Sequence, residues 1–290
     1  MKLLGGIMDL AKKIYKLLDE DIIYHYTKSD TAFLYILKNG TLKTSYLKNT
    51  NDPIEYKPQH SSSFFSDEKF RNKSIEIRGK IKKMRSETRF ISFCEDKGNN
   101  NNLRNEINNK HIENFYLGIE NIKFIRKLGC VLPRMWTQYG DKHKGVCLAF
   151  SRKELKKEIE KKTNEYKFEE IEYREFPVIK SSALVTNLIG LSPKKIDSQE
   201  YAKKFISENY KELFFKKHND YRDENECRLI INYDKKNDFE YINIKSSLKA
   251  IIFGDNFNKN KYESLRNKFE KKYDLFSCDI NWGSGTMILR

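Results

Sequence analysis

Little in this chain either breaks regular structure or ties it together covalently. Its 290 residues include only 5 Pro and 13 Gly, which excludes a collagen repeat, and no Pro- or Ser-rich linker divides it. The five cysteines (Cys94, Cys130, Cys147, Cys227, Cys278) are an odd number with no C-x-x-C spacing, so neither a disulfide framework nor a thiolate zinc site is indicated. In GVCLAF and ECRLII the thiols sit among apolar neighbours, where free Cys packs as a small hydrophobe, and a reducing cytoplasm fits this usage. Five scattered histidines (His25, His60, His111, His143, His218) form no HExxH and no His-x-His pair, so no metal is expected.

Several motifs are missing as well. No GxxxxGK[ST] loop, no GxGxxG after a strand and no GxSxG elbow occurs, which disfavours P-loop hydrolysis, Rossmann dinucleotide binding and the α/β-hydrolase mechanism. Long apolar runs are lacking too. The amino terminus has about six apolar residues before Asp9, too few for a secretion signal or a membrane span. No membrane partner is expected.

What is present describes a globular protein. With 38% hydrophobic, 13% aromatic and 33% charged positions, disorder is excluded, and surface scaling lets a chain of this mass bury roughly three quarters of its unfolded surface. The formal charge is +15, which admits a nucleic-acid or anionic partner. However, 43 of the 56 cations are Lys, whereas planar recognition of phosphate favours Arg. Much of the charge therefore reads as solvated surface.

Patterning gives an α+β order. Residues 1–20 read as an amphipathic helix carrying Leu10, Ile14, Leu17 and Leu18 on one face, followed by a single domain over 21–290. DIIYHYT is a strand, and SDTAFLYILKNG a helix with Ser29 or Asp30 as cap, Ala32, Phe33, Ile36 and Leu37 buried, and Gly40 as a left-handed stop. NDPIE has the capping-box form, with Asp52 as cap, Pro53 next and Glu55 third. A charged helix over 61–87 leads into the strand TRFISFCED, then an Asn-rich loop over 98–110 and a strand NFYLGI. A turn or helix around Trp136, the strand Val146–Phe150, a helix capped by Ser151, the strand-like FEEIEYREFPVIK and the helical ISENYKELFFKKHNDY follow. ENECRLIINY, EYINIK, LKAIIFGDNF and LFSCDINW complete the strands, with a helix over KYESLRNKFEKKY.

Two segments carry chemistry. In IIYHYT, alternation puts Ile23, His25 and Thr27 on one face and Tyr24 and Tyr26 on the other. In DENECRLIINY it puts Glu224, Glu226 and Arg228 on one face, opposite Cys227, Leu229 and Ile231. Two carboxylates and a guanidinium in a row mark either an exposed face with cross-strand ion pairs or the wall of a polar cleft.

In order and spacing, IIYHYTKSDTAFLYILKNGTLKTS, NDPIE, ISFCED, MWTQYGDKHKGVCLAF, YRDENECRLI and LKAIIFGDNF resemble a bacterial domain-of-unknown-function family, number 2971, over residues 21 to 260. At the level of motif order that family is similar to the ADP-ribosyltransferase superfamily. The resemblance implies a split, mixed or antiparallel sheet with helical decorations, and NAD as substrate. His25 resembles the residue that hydrogen-bonds the ribose, Ser92 or else Tyr139 the second motif, and Glu226 the catalytic carboxylate. Glu224 would orient or activate the acceptor, and Arg228 would pair with pyrophosphate or keep Glu226 ionised. Tyr26, Thr27 and Trp136 join the cofactor-binding set. The chain departs from better-known transferases in lacking an STS motif.

The expectation is an NAD-dependent ADP-ribosyltransferase with a protein or nucleic-acid acceptor, in the setting of a toxin or antiphage effector. The alternatives are a basic nucleic-acid-binding or nuclease-like module and a noncatalytic scaffold of the same fold. The first requires His25 and Glu226 to face one cleft with Trp136 or Tyr139 nearby, and finding the two on opposite sides of the sheet would undo the constellation.

Overall fold

Runs of β-branched and aromatic residues covered on both faces make central strands, and IIYHYT is such a run. In the computed structural model, which describes residues 21–50, 52, 55, 68–97, 128–175, 196–231, 240–273, 275–281 and 286–289, this segment is β1 (Ile22–Thr27). It lies at the centre of a sheet in the order β13-β12-β11-β5-β1-β4-β9-β6, with β3 beside β4. The partners are β3 (Ser45–Tyr46), β4 (Arg89–Cys94), β5 (Val146–Ser151), β6 (Tyr166–Glu170) and β9 (Glu226–Ile231). β11 (Leu248–Phe253), β12 (Phe276–Asn281) and β13 (Thr286–Leu289) complete it. β11 and β12 run parallel, and the remaining pairs of the sheet are antiparallel. The α+β class expected from the patterning is what the fold shows.

One face of the sheet holds Ile23, Phe93, Leu148, Phe150 and Leu229, packed with Phe33, Leu155, Tyr262 and Phe269. The last four come from three helical segments. The first, α1, consists of Ser29–Thr31, a π-helical Ala32–Ile36 and Leu37–Asn39; the others are α4 (Arg152–Glu160) and α7 (Lys259–Tyr273). Phe33 is wholly buried and stacks on Tyr262 at 5.1 Å, so truncating it to Ala would cost about 3–5 kcal/mol. The other face carries Phe90 and Ile230 under α2 (Glu68–Glu87) and α5 (Ser198–Glu208), through Ile77, Ile81, Met84, Ala202 and Phe205.

Local signals held unevenly. Ala32, Phe33, Ile36 and Leu37 are buried, Gly40 ends α1 at φ 69°, and the Ser151 hydroxyl accepts from the Glu154 amide. Neither Ser29 nor Asp30 caps α1. The Ser29 hydroxyl donates to the Lys144 carbonyl at 2.6 Å, and Asp30 accepts from Tyr262 and Lys261. Tertiary partners have taken both side chains.

The helix expected over ISENYKELFFKKHNDY is broken up. α5 ends at Glu208, α6 is Tyr210–Phe214, and then β8 (Lys216–His218) pairs with β7 (Glu172–Arg174) before a 3-10 turn over Asn219–Glu224. Tertiary contacts override propensity there, because β8 pairs with β7, Lys216 meets Glu172 across that pair and Lys217 turns toward Glu224 and Glu226. A further pair of short strands, β2 (Thr41–Lys43) and β10 (Tyr241–Asn243), closes over α4. α3 is Pro133–Gln138. Among the described residues no helix is long and apolar enough to cross a membrane. The expected helix over 1–20, the loop over 98–110 and the strand NFYLGI lie outside the described residues.

Candidate functional site

β4 is where the sheet is interrupted. One edge pairs with β9 over its full length, from Arg89↔Ile231 to Cys94↔Glu226. The other edge meets β3 at Arg89 and Phe90 and β1 at a single pair, Tyr24↔Cys94. Between these contacts the stretch Ile91–Phe93 borders a cavity of about 270 Å³. His25 stands at the opening with Nδ1 3.2 Å from the Ser92 carbonyl oxygen. A carbonyl only accepts, so Nδ1 carries the proton. Burial lowers the imidazole below its ordinary pKa against the opposing pull of this bond, which leaves a neutral ring with Nε2 free of a proton.

Register decides which side chains share a face. The rows Tyr24↔Cys94↔Glu226 and Ser92↔Arg228 put Tyr24, Tyr26, Ser92, Cys94, Glu226 and Arg228 on one face. His25 belongs to the other, where its ring meets Phe93 edge-on at 5.9 Å. His25 and Glu226 therefore lie on opposite faces of the sheet, contrary to the constellation expected from sequence, and both border the cavity only because the sheet opens beside β4.

An ion-pair network fills the cavity wall. Glu226 Oε1 accepts from the Ser92 hydroxyl at 2.5 Å and from Arg228 Nε at 2.7 Å, and its Oε2 lies 2.9 Å from Lys217 Nζ. Arg228 continues to Glu55 Oε1 at 2.5 Å and to the Phe214 carbonyl at 2.9 Å. Lys217 also holds Glu224 Oε2 at 2.7 Å, and Tyr139 donates to Glu224 Oε1 at 3.2 Å. Arg85 donates to the Glu55 carbonyl, and the Tyr173 hydroxyl accepts from the Glu226 amide at 2.8 Å. Glu55, Lys217, Glu224, Glu226 and Arg228 are all buried. Buried charge paired in this way contributes little net stability but makes removal of any one member costly, although Glu226 Oε2 and Arg85 Nε are buried without a hydrogen bond.

The electrostatics separate the two carboxylates. Burial pushes Glu226 toward protonation, but Arg228, then Lys217, and the bonds from Arg228 and Ser92 outweigh it and hold the carboxyl well below the usual range. Burial raises Glu224 above its ordinary value, with Lys217 only partly opposing. The Tyr139 phenol is raised by burial and by Glu224. One carboxylate is thus firmly anionic and its neighbour is more basic, the division of labour that acid–base sites use.

Of the residues singled out from sequence, His25, Tyr26, Ser92, Tyr139, Glu224, Glu226 and Arg228 line the cavity, whereas Thr27 and Trp136 do not. Trp136 is wholly buried, donates to the Cys130 carbonyl at 2.8 Å and packs edge-on against Tyr26 at 5.0 Å, so it is part of the core. Glu224 reaches the site differently from expected. It ends the 3-10 turn, and Asn225 at φ 43° separates it from β9. Sequence reasoning missed Lys217, which lies in the stretch read as helix, and Glu55, whose carboxylate goes to Arg228 instead of closing a capping box. Among the described residues no group of three or more His, Cys, Asp or Glu is arranged to hold a metal ion.

Residues 135–229 match the family model of a protein of unknown function, DUF2971. That stretch supplies Tyr139, Lys217, Glu224, Glu226 and Arg228, while His25, Glu55 and Ser92 come from outside it. No curated protein and no solved structure matches the chain.

Proposed function

We propose that the cavity at the β4 edge is an active site that cleaves the bond between nicotinamide and ribose in NAD and transfers ADP-ribose to a macromolecular acceptor, as in ADP-ribosyltransferases. The observation that carries this reading is Glu226, a buried carboxylate kept anionic at a cavity wall. Breaking the nicotinamide–ribose bond develops positive charge on the sugar, and a fixed anion in a low-dielectric site stabilises that charge more than water does. Glu224, the more basic partner, accepts the proton of the incoming acceptor nucleophile. Neutral His25 offers Nε2 to a ribose hydroxyl. About 270 Å³ accommodates a nucleoside-sized end and falls just below the range for larger ligands, so the adenosine end of NAD lies outside the cavity.

A noncatalytic scaffold has one observation in its favour: Glu226 Oε1 is already engaged by Ser92 and Arg228, while Oε2 stands in an ion pair with Lys217 without a hydrogen bond. Incubation with NAD separates the two readings. Turnover is expected to release nicotinamide, and Glu226→Gln to lower the rate by about 10²–10³-fold while near-ultraviolet circular dichroism stays unchanged. A folded Glu226→Gln protein that turns over at the wild-type rate, or a wild-type protein that neither consumes NAD nor labels a co-expressed target, defeats the proposal.

A further inference from the structure

On β8 the two lysines point to opposite sides. Lys216 pairs with Glu212 and Glu172, and Lys217 enters the cavity. One ammonium then bridges two carboxylates from different elements, at 2.7 Å to Glu224 and 2.9 Å to Glu226, with the Tyr221 ring centre 4.9 Å away. Two buried carboxylates converging on one point share a proton unless a cation stands between them.

We propose that Lys217 is a positioning residue of this cavity: its ammonium keeps Glu224 and Glu226 charged together and fixes where the two carboxylates stand. The consequence for catalysis rests on the proposed function, whereas the charge arrangement does not. The remaining groups around the ammonium do not replace it. Arg228 on β9 is divided between Glu226 at 2.7 Å and Glu55 at 2.5 Å, so it supports Glu226 but leaves Glu224 to Lys217, and Arg85 on α2 is directed at the Glu55 carbonyl. Tyr139 donates to Glu224, while Tyr173 on β7 and Cys94 on β4 are neutral, their acid forms favoured first by burial. Burial disfavours the charged form of Lys217, but Glu226 and Glu55 outweigh it. Its amine therefore stays protonated and is no nucleophile.

The test follows the carboxyl carbons of Glu224 and Glu226 by NMR in glutamate-labelled protein from about pH 4 to about pH 8, in wild type, Lys217→Met and Lys217→Arg. In Lys217→Met one of the two carboxyls is expected to titrate about 2 pH units higher than in wild type, and Lys217→Arg restores the wild-type curves. A folded Lys217→Met protein in which neither curve moves overturns the proposal. If Lys217→Met does not fold, the double variant Lys217→Met/Glu224→Gln, which removes the repulsion along with the cation, is expected to fold; a double variant that stays unfolded also overturns it. Where the wild type releases nicotinamide, the pH profile of Lys217→Met gains an acid limb displaced by the same amount. A wild type without turnover defeats the functional reading alone, and the titration still judges Lys217.

Discussion

Replacing Arg228 by Met removes the centre of the buried network while keeping similar bulk. The guanidinium is 1% exposed, bonds Glu226 at 2.7 Å, Glu55 at 2.5 Å and the Phe214 carbonyl at 2.9 Å, and lies over the Phe90 ring at 5.3 Å. Its loss leaves a carboxylate at Glu55 without this partner, weakens the compensation at Glu226 and orphans the carbonyl bond. Breaking a buried pair costs about 3–5 kcal/mol and a lost buried hydrogen bond about 1 kcal/mol more, so the expected destabilisation is about 5 kcal/mol, a large share of the stability of an ordinary domain. For a chain of this size that corresponds to a melting temperature lower by about 10 °C. Urea and thermal unfolding at neutral pH measure it directly. The pH dependence follows from the depressed carboxyl of Glu226: its contribution is fully present above the ordinary carboxylate range and is lost as pH falls toward the lower native value. The gap between wild type and Arg228→Met therefore narrows as pH drops below about 4.5. Substituting Glu55, Arg228 and Glu226 together by Met removes the unpaired charge along with the pair, and is expected to cost far less than the single change. A single variant that loses under about 1 kcal/mol, or a triple variant less stable than the single one, refutes the reasoning.

Other parts of the structure give sharper single-site outcomes. Gly254→Ala places a Cβ against the His143 carbonyl, which is fixed by accepting from the Asn256 amide at 2.9 Å; a loss of about 3 kcal/mol is expected in urea unfolding, and a loss below about 1 kcal/mol contradicts the close approach. His25 should titrate below the ordinary imidazole value by NMR, and a midpoint above that value shows that burial does not outweigh the pull of the Ser92 carbonyl toward the charged ring. Tyr139→Phe removes the donor to Glu224, costing about 1 kcal/mol and raising the Glu224 titration further; an unchanged Glu224 curve removes Tyr139 from the site.

The parts of the site that were legible in sequence are those written in strand alternation. Tyr24 and Tyr26 fall on one face and His25 on the other, and Glu226 and Arg228 share a face because they are two residues apart on β9. What the alternation left open was whether that face is wet. Burial of Glu224, Glu226 and Arg228 at a cavity decides for the polar cleft over the exposed ion-paired sheet. Glu55 was hidden because NDPIE satisfies a local capping pattern, and only a partner far away in sequence, Arg228, reveals its other use. Lys217 was hidden among 43 lysines in a segment with helical spacing. The gap in the sheet was hidden most deeply, since it depends on β1 and β3 meeting the same edge of β4 without meeting each other.

The net charge of +15 takes on a different meaning from the same geometry. Each cation that lines the cavity is committed to a carboxylate: Lys43 to Glu240 at 2.9 Å, Lys217 to Glu224 and Glu226, and Arg228 to Glu226 and Glu55. A diphosphate entering the cavity would have to break one of these pairs and leave a buried carboxylate uncompensated, at a cost of about 3–5 kcal/mol. Under the proposed reading, the ribose and nicotinamide therefore enter and the phosphates stay at the rim, where a cation such as Lys43, with its side chain 63% exposed, exchanges partners at little cost. Salt then discriminates between the two ends of the ligand: raising ionic strength is expected to weaken binding of ADP-ribose, read by calorimetry, more than binding of nicotinamide riboside. Equal salt dependence for the two would place the phosphates inside the cavity and contradict the paired state of Lys217 and Arg228.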